Sequence, residues 1–66
     1  MRVNGEPYQG GDPLPRTLEE LAARLEVDAA SVVAEVDGRV IRRSDFARTP
    51  LAESSVVELV RFVGGG

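Results

Sequence analysis

The chain has 66 residues, enough for one domain and one core, with no cysteine, no histidine, eleven acidic and eight basic residues and a net charge of −3. Those counts exclude a disulfide framework, a thiolate nucleophile, a Cys- or His-based zinc site and the commonest general base. They also argue against nucleic acid as the main partner, because phosphate binding needs a clustered positive surface. Arg39, Arg42 and Arg43 do cluster, but Asp37 and Asp45 flank them, and a solvated hairpin edge explains the group. All eight basic residues are arginine. Codon bias accounts for that, although a chain without lysine also offers no side-chain amine to an activated carboxyl group.

The opening Met1-Arg2-Val3-Asn4-Gly5 lacks the apolar stretch of a secretory signal, and no apolar run approaches the ~20 residues of a membrane span. The longest, Val56 to Val63, is broken by Glu58 and Arg61. A soluble, cytoplasmic protein is expected, with no membrane partner.

Val3 begins a short strand that ends at Asn4-Gly5, a dipeptide biased to a tight hairpin turn. Pro7-Tyr8-Gln9 is the expected return strand, kept short by Gly10, Gly11, Pro13 and Pro15. Thr17 then opens a helix. Thr17 and Glu20 have capping-box spacing, and Glu19 and Glu20 sit at the positive end of the helix dipole. Leu18, Leu21, Ala22 and Leu25 recur at i, i+3, i+4, i+7 and form one apolar stripe.

Asp28 to Ser31 reads as a turn or short helical connector. Val32 to Val36 and Arg39 to Arg42, joined by Asp37-Gly38, form the clearest hairpin. Ser44 to Ala52 reads as irregular, with Pro50 barring a central strand there. Val56 to Val63 is the final strand, rich in β-branched residues. The order predicts an α+β domain in which one main helix covers a mixed sheet of four to five strands. Placing the last strand at the centre, parallel to the first, matches the ubiquitin-like β-grasp arrangement. The expected division is a β-grasp domain over 1–63 and a flexible glycine tail over 64–66.

No internal active site is expected. Gly10-Gly11-Asp12-Pro13 lacks the spacing and lysine of a phosphate loop, and Ser54-Ser55 lacks a histidine. Glu19, Glu20, Glu35 and Glu58 sit where a solvated face needs charge. No catalytic residue and no metal ligand is assigned. The remaining feature is Gly64-Gly65-Gly66. Three glycines do not extend a stable strand. A tail without side chains can thread a narrow channel and present a bare carboxylate to ATP in another enzyme. A frayed end or a residual linker would give the same three residues.

The chain resembles the ThiS family, the sulfur carriers of bacterial thiamin biosynthesis, over nearly its whole length. Val3-Asn4-Gly5-Glu6 is similar to the family's opening strand and turn, and Thr17-Leu18 with Leu21 to the start of its helix. Val33 to Ile41 followed by Arg43-Ser44 resembles its middle hairpin, and Gly65-Gly66 its terminal pair. Asp37 stands where an Asn is common, Arg42 where a Pro is common, and the Gly10-to-Pro15 stretch is unusually turn-rich.

The resemblance implies a β-grasp fold and a carrier that catalyses nothing and binds no cofactor. An E1-like, ThiF-type enzyme would consume ATP to adenylate the Gly66 carboxylate. Sulfur from a cysteine desulfurase would convert it to a thiocarboxylate, for donation to a ThiG-type thiazole synthase. Gly65 and Gly64 would give passage into the partner. Val57 and Leu59 are assigned to the helix-covered core with Leu21 and Leu25; Val60 and Phe62 fall on the opposite face, as a docking patch for the partner. The alternatives are a molybdopterin-synthase small subunit, a ubiquitin-like modifier attached to lysines, and a non-covalent β-grasp interaction module.

Overall fold

A computed structural model describes residues 1–61. Two hairpins build the sheet. In the first, β1 (Arg2–Val3) and β2 (Glu6–Pro7) pair antiparallel around Asn4-Gly5, whose φ values of 52° and 83° are those of a type I′ turn. In the second, β3 (Val32–Val36) and β4 (Arg39–Ile41) pair around Asp37-Gly38, with φ values of 51° and 84°. Glycine takes the second position of each turn without the Cβ penalty of positive φ, and Asn and Asp tolerate it at the first.

The last strand, β5 (Val56–Arg61), lies between the hairpins, parallel to β1 and antiparallel to β3. The sheet order is β2-β1-β5-β3-β4. With the helix α1 (Leu18–Arg24) on one face, this is the ubiquitin-like β-grasp arrangement expected from the sequence.

The core forms where α1 meets the sheet, from Leu18, Leu21, Ala34, Val36, Phe46 and Val57. Fully burying a Leu or Val side chain contributes roughly 1.5–3 kcal/mol before chain entropy is charged against it, so three or four such residues decide whether so small a domain folds. Burial alternates along β3, with Val32, Ala34 and Val36 inside and Val33 and Glu35 half-buried on the other face.

Several elements differ from the sequence reading. The return strand is Glu6–Pro7 rather than Pro7-Tyr8-Gln9. Tyr8 instead turns its ring onto Gly10, so closely that a Cβ at Gly10 would lie 1.9 Å from the hydroxyl. Ser44 to Ala52 is more ordered than expected. A 3₁₀ segment over Arg43–Arg48 carries Phe46 into the core at 2% exposure. Pro50 then forms an isolated bridge with Thr17, closed by Leu18 N donating to Thr49 O and Leu51 N to Arg16 O. A second 3₁₀ segment, Ala29–Ser31, is capped by Asp28 and fulfils the connector expectation.

Leu25 was assigned to the core and is 38% exposed instead. The helix ends one residue too early. Glu26 enters the left-handed region at φ 57°, Glu26 N donates to Ala23 O, and Val27 N donates to Ala22 O. That pair of bonds is a Schellman motif that ends the helix at Leu25, so Leu25 keeps its helical side but lines an open cleft with Tyr8, Val27 and Leu59 instead of the packed core. At the other end, Thr17 Oγ1 accepts from Glu20 N at 3.2 Å, the hydroxyl half of the expected capping box. No return bond from the Glu20 carboxylate is found among the described residues.

Candidate functional site

The sequence points to the end of β5, so the site begins with what holds that strand. Both of its edges are occupied by backbone, and both I′ turns add a side chain. On the β3 side, Val56 N donates to Asp37 Oδ1 at 2.9 Å while Asp37 N donates to Val56 O at 2.8 Å. On the β1 side, Asn4 N donates to Val57 O at 2.9 Å and Leu59 N donates to Asn4 Oδ1 at 2.8 Å. β1 is only two residues long, and the Asn4 amide continues its ladder by one more bond.

The entry to β5 is fixed as well. Ser55 is 5% exposed; its Oγ accepts from Ala52 N at 2.8 Å, and its N–H donates to Ala52 O at 3.0 Å. The N-terminal ammonium of Met1 donates to Glu53 O beside it. Ser55 therefore has a structural task, in keeping with the lack of a histidine partner.

β5 presents two unlike faces. Val57 is fully buried and Leu59 half-buried against the core, as the sequence reading placed them. Val56, Glu58 and Val60 point to the uncovered face, with Val56 42% and Val60 59% exposed. Val33 pairs with Val60 and Glu35 with Glu58 on this same face, and Val40 of β4, 65% exposed, lies opposite Glu35. The acidic pair was not singled out in the sequence, because only the register sets Glu35 against Glu58. The Asn4 and Asp37 bonds were missed too, although Asn-Gly and Asp-Gly were visible as turns.

Val60, assigned to the docking patch, is exposed on the uncovered face. Phe62, Gly64, Gly65 and Gly66, on which the rest of that expectation falls, lie outside the described residues. On the helix-covered side a cleft of about 430 Å³ is lined by Val3, Tyr8, Leu25, Val27, Leu59 and Arg61, among others. Among the described residues no group of three or more acidic, His or Cys side chains could hold a metal ion, and no helix is long and apolar enough to cross a membrane. The arginine-rich edge is partly neutralised: Asp45 pairs with Arg48 and, at 4.0 Å, with Arg42.

A β-grasp domain whose central strand runs toward a triple glycine fits several carriers and modifiers, and comparison with known proteins separates them. A model of the ThiS family matches residues 1–66. The chain belongs to the ThiS family. The crystal structure of the thiamine biosynthesis protein ThiS from Geobacter metallireducens is similar at 34% identity and a TM-score of 0.82, over 98% of this chain and 96% of that one. The solution structure of a thiamine biosynthesis protein from the same organism is similar at 34% identity and a TM-score of 0.76, over 98% and 85% of the two chains. An uncharacterized protein, ycf40 of Porphyra purpurea, is 27% identical over 66 residues, all of this chain and 90% of the relative. The family match and the two Geobacter metallireducens structures cover both hairpins and β5, the elements that position the site.

Proposed function

We infer that this chain is the sulfur carrier of thiamin thiazole synthesis and acts in the cytoplasm as a co-substrate of other enzymes. Its reacting group is the carboxylate of Gly66. A carboxylate is a poor acyl donor, and adenylation overcomes that: an oxygen of Gly66 attacks the α-phosphorus of ATP, and pyrophosphate leaves. The ATP is bound and consumed by an E1-like, ThiF-type enzyme. A persulfide supplied through a cysteine desulfurase attacks the acyl carbon and displaces AMP. A thiol then cleaves the S–S bond of the resulting acyl disulfide and is itself oxidised to a disulfide, and the released thiocarboxylate donates its sulfur to a ThiG-type thiazole synthase. Gly65 and Gly64 supply a chain narrow enough to enter each partner, because no side chain obstructs it. Val60 and Phe62 form the apolar contact that holds the domain while the tail reaches in.

The observation that carries this reading is the family match over residues 1–66, which extends through Gly65-Gly66. The bracing of β5 supports it: a carrier must hand over its end from a fixed platform, and β5 is bonded by backbone and side chain on both edges. Removal of Gly65 and Gly66 is the test. The truncated chain is expected to keep its Tm and to lose all thiazole formation in a reconstituted reaction. Retained thiazole formation would refute the assignment.

A further inference from the structure

Each I′ turn reaches β5 with the side chain at its first position, and the two side chains hold opposite ends of the strand. Asp37 Oδ1 accepts from Val56 N at the entry, and Asn4 Oδ1 accepts from Leu59 N nearer the exit. The entry has backbone support as well, from Asp37 N to Val56 O and from Arg2 N to Ser55 O. The exit is held unequally. On the β3 edge, pairing runs out to Val33↔Val60 and Val32↔Arg61. On the β1 edge it stops at Val3↔Val57, and Asn4 N to Val57 O is the last backbone bond found there among the described residues. The chain then turns back into β2, and the Asn4 carboxamide carries that edge two residues further, to Leu59.

The turn itself does not require a carboxamide. Its first position needs tolerance of φ 52°, which glycine supplies equally, and Asn4 is exposed, outside the core. What the side chain adds is a second edge for the last residues of β5. A strand end paired on one edge alone frays and twists more freely than one held on both. The carboxamide also shortens the tether on its edge. Gly66 follows Leu59 by seven residues and Val57 by nine, a greatest reach of roughly 25 Å instead of roughly 32 Å. A shorter tether raises the concentration of the terminal carboxylate at its target and restricts the angle of its approach.

We propose that Asn4 is a positioning residue for the transfer reaction: by clamping Leu59 it fixes where the tail leaves the sheet, and so the approach of the Gly66 carboxylate to the α-phosphorus of ATP. Asn4 acts through the strand and touches no reacting atom. The proposal deepens the carrier reading and rests on it for the reaction.

The test compares the wild-type chain with Asn4→Gly, which keeps the turn and removes the clamp, and with Asn4→Asp, which keeps an acceptor. Ile41→Val is the control: it lies on the outer strand β4, is half-buried against the core, and loses a similar amount of stability without touching β5. Urea denaturation confirms that the two losses match. A ThiF-type enzyme in excess over the carrier, with saturating ATP, gives the single-turnover rate of adenylation, and calorimetry gives Kd. Asn4→Gly is expected to slow the saturated single-turnover rate about fivefold, the equivalent of one ordinary hydrogen bond. Its Kd should stay within about twofold of the wild type, because the exposed apolar residues of β5 are unchanged. Asn4→Asp should restore the rate, and Ile41→Val should leave it unchanged. Amide exchange at Leu59, relative to Leu21, should accelerate in Asn4→Gly and not in Ile41→Val.

A wild-type saturated rate in Asn4→Gly would overturn the proposal, as would an equal slowing in Ile41→Val, which would make the effect one of stability alone. A defect confined to Kd would overturn it too, since Asn4 would then belong to the docking contact. A wild-type chain that binds the enzyme but is not adenylated would refute the carrier reading itself, and the proposal would fall with it.

Discussion

Asn4 joins the first turn to the last strand, and replacing it separates two effects that the structure superimposes. Its backbone stands at φ 52°, and its Oδ1 accepts the Leu59 N–H at 2.8 Å across 55 residues of sequence. Alanine loses both advantages. The lost hydrogen bond costs about 1 kcal/mol, and holding alanine in the left-handed region costs about another 1 kcal/mol. The sum, about 2 kcal/mol, lowers Tm by roughly 8–16 °C in a domain of this size. Asn4→Gly removes the bond but not the conformational tolerance, and should cost about half as much. Asn4→Asp keeps an acceptor and the tolerance, and should stay within about 0.5 kcal/mol of the wild type at neutral pH. Urea denaturation of the three variants measures the series, and amide exchange at Leu59 should accelerate in the alanine and glycine variants relative to Leu21. An Asn4→Ala variant within 0.5 kcal/mol of the wild type, or a glycine variant as unstable as the alanine one, would refute the reasoning.

Other consequences of the fold are simpler to test. Leu21→Ala should cost about 3 kcal/mol, most of the stability of so small a domain, whereas Leu25→Ser should cost less than about 1 kcal/mol because Leu25, at the helix end, is already 38% exposed. Chemical denaturation of both distinguishes them. Glu26→Gly should stabilise the chain by about 0.5–1 kcal/mol, as glycine relieves the left-handed residue of the Schellman turn, and a raised Tm would show it. Arg48→Ala should leave the unfolding free energy unchanged to within about 0.5 kcal/mol in urea denaturation, since its pair with Asp45 is a surface one.

Much of this architecture is legible in the sequence for local reasons. Asn4-Gly5 and Asp37-Gly38 announce their turns because few other residue pairs tolerate positive φ twice in succession. Thr17 with its downstream leucines announces the helix through a cap and a period, and Val57 and Leu59 fall inside by the two-residue alternation of a strand. What the sequence conceals depends on distant partners. Phe46 is buried because a 3₁₀ segment packs against α1, and no periodicity marks it. Leu25 looks like the next residue of a stripe until the left-handed Glu26 ends the helix. The Glu35–Glu58 pair exists only through the β3–β5 register, which follows from placing the last strand at the centre of the sheet. The candidate site divides in the same way: the glycines are visible in one dimension, and the bracing of the strand that leads to them only in three.

The central claim concerns one atom exchange at one residue. Incubating the chain with a ThiF-type enzyme, ATP and a cysteine desulfurase with cysteine, and then measuring intact mass and C-terminal fragments, reads that exchange directly. The account predicts the mass change of a single oxygen-to-sulfur replacement, confined to the fragment that carries Gly66 and absent when ATP is withheld. An unchanged mass, in a mixture that converts another ThiS-family chain to its thiocarboxylate, would contradict it; so would isopeptide adducts on lysines of other proteins.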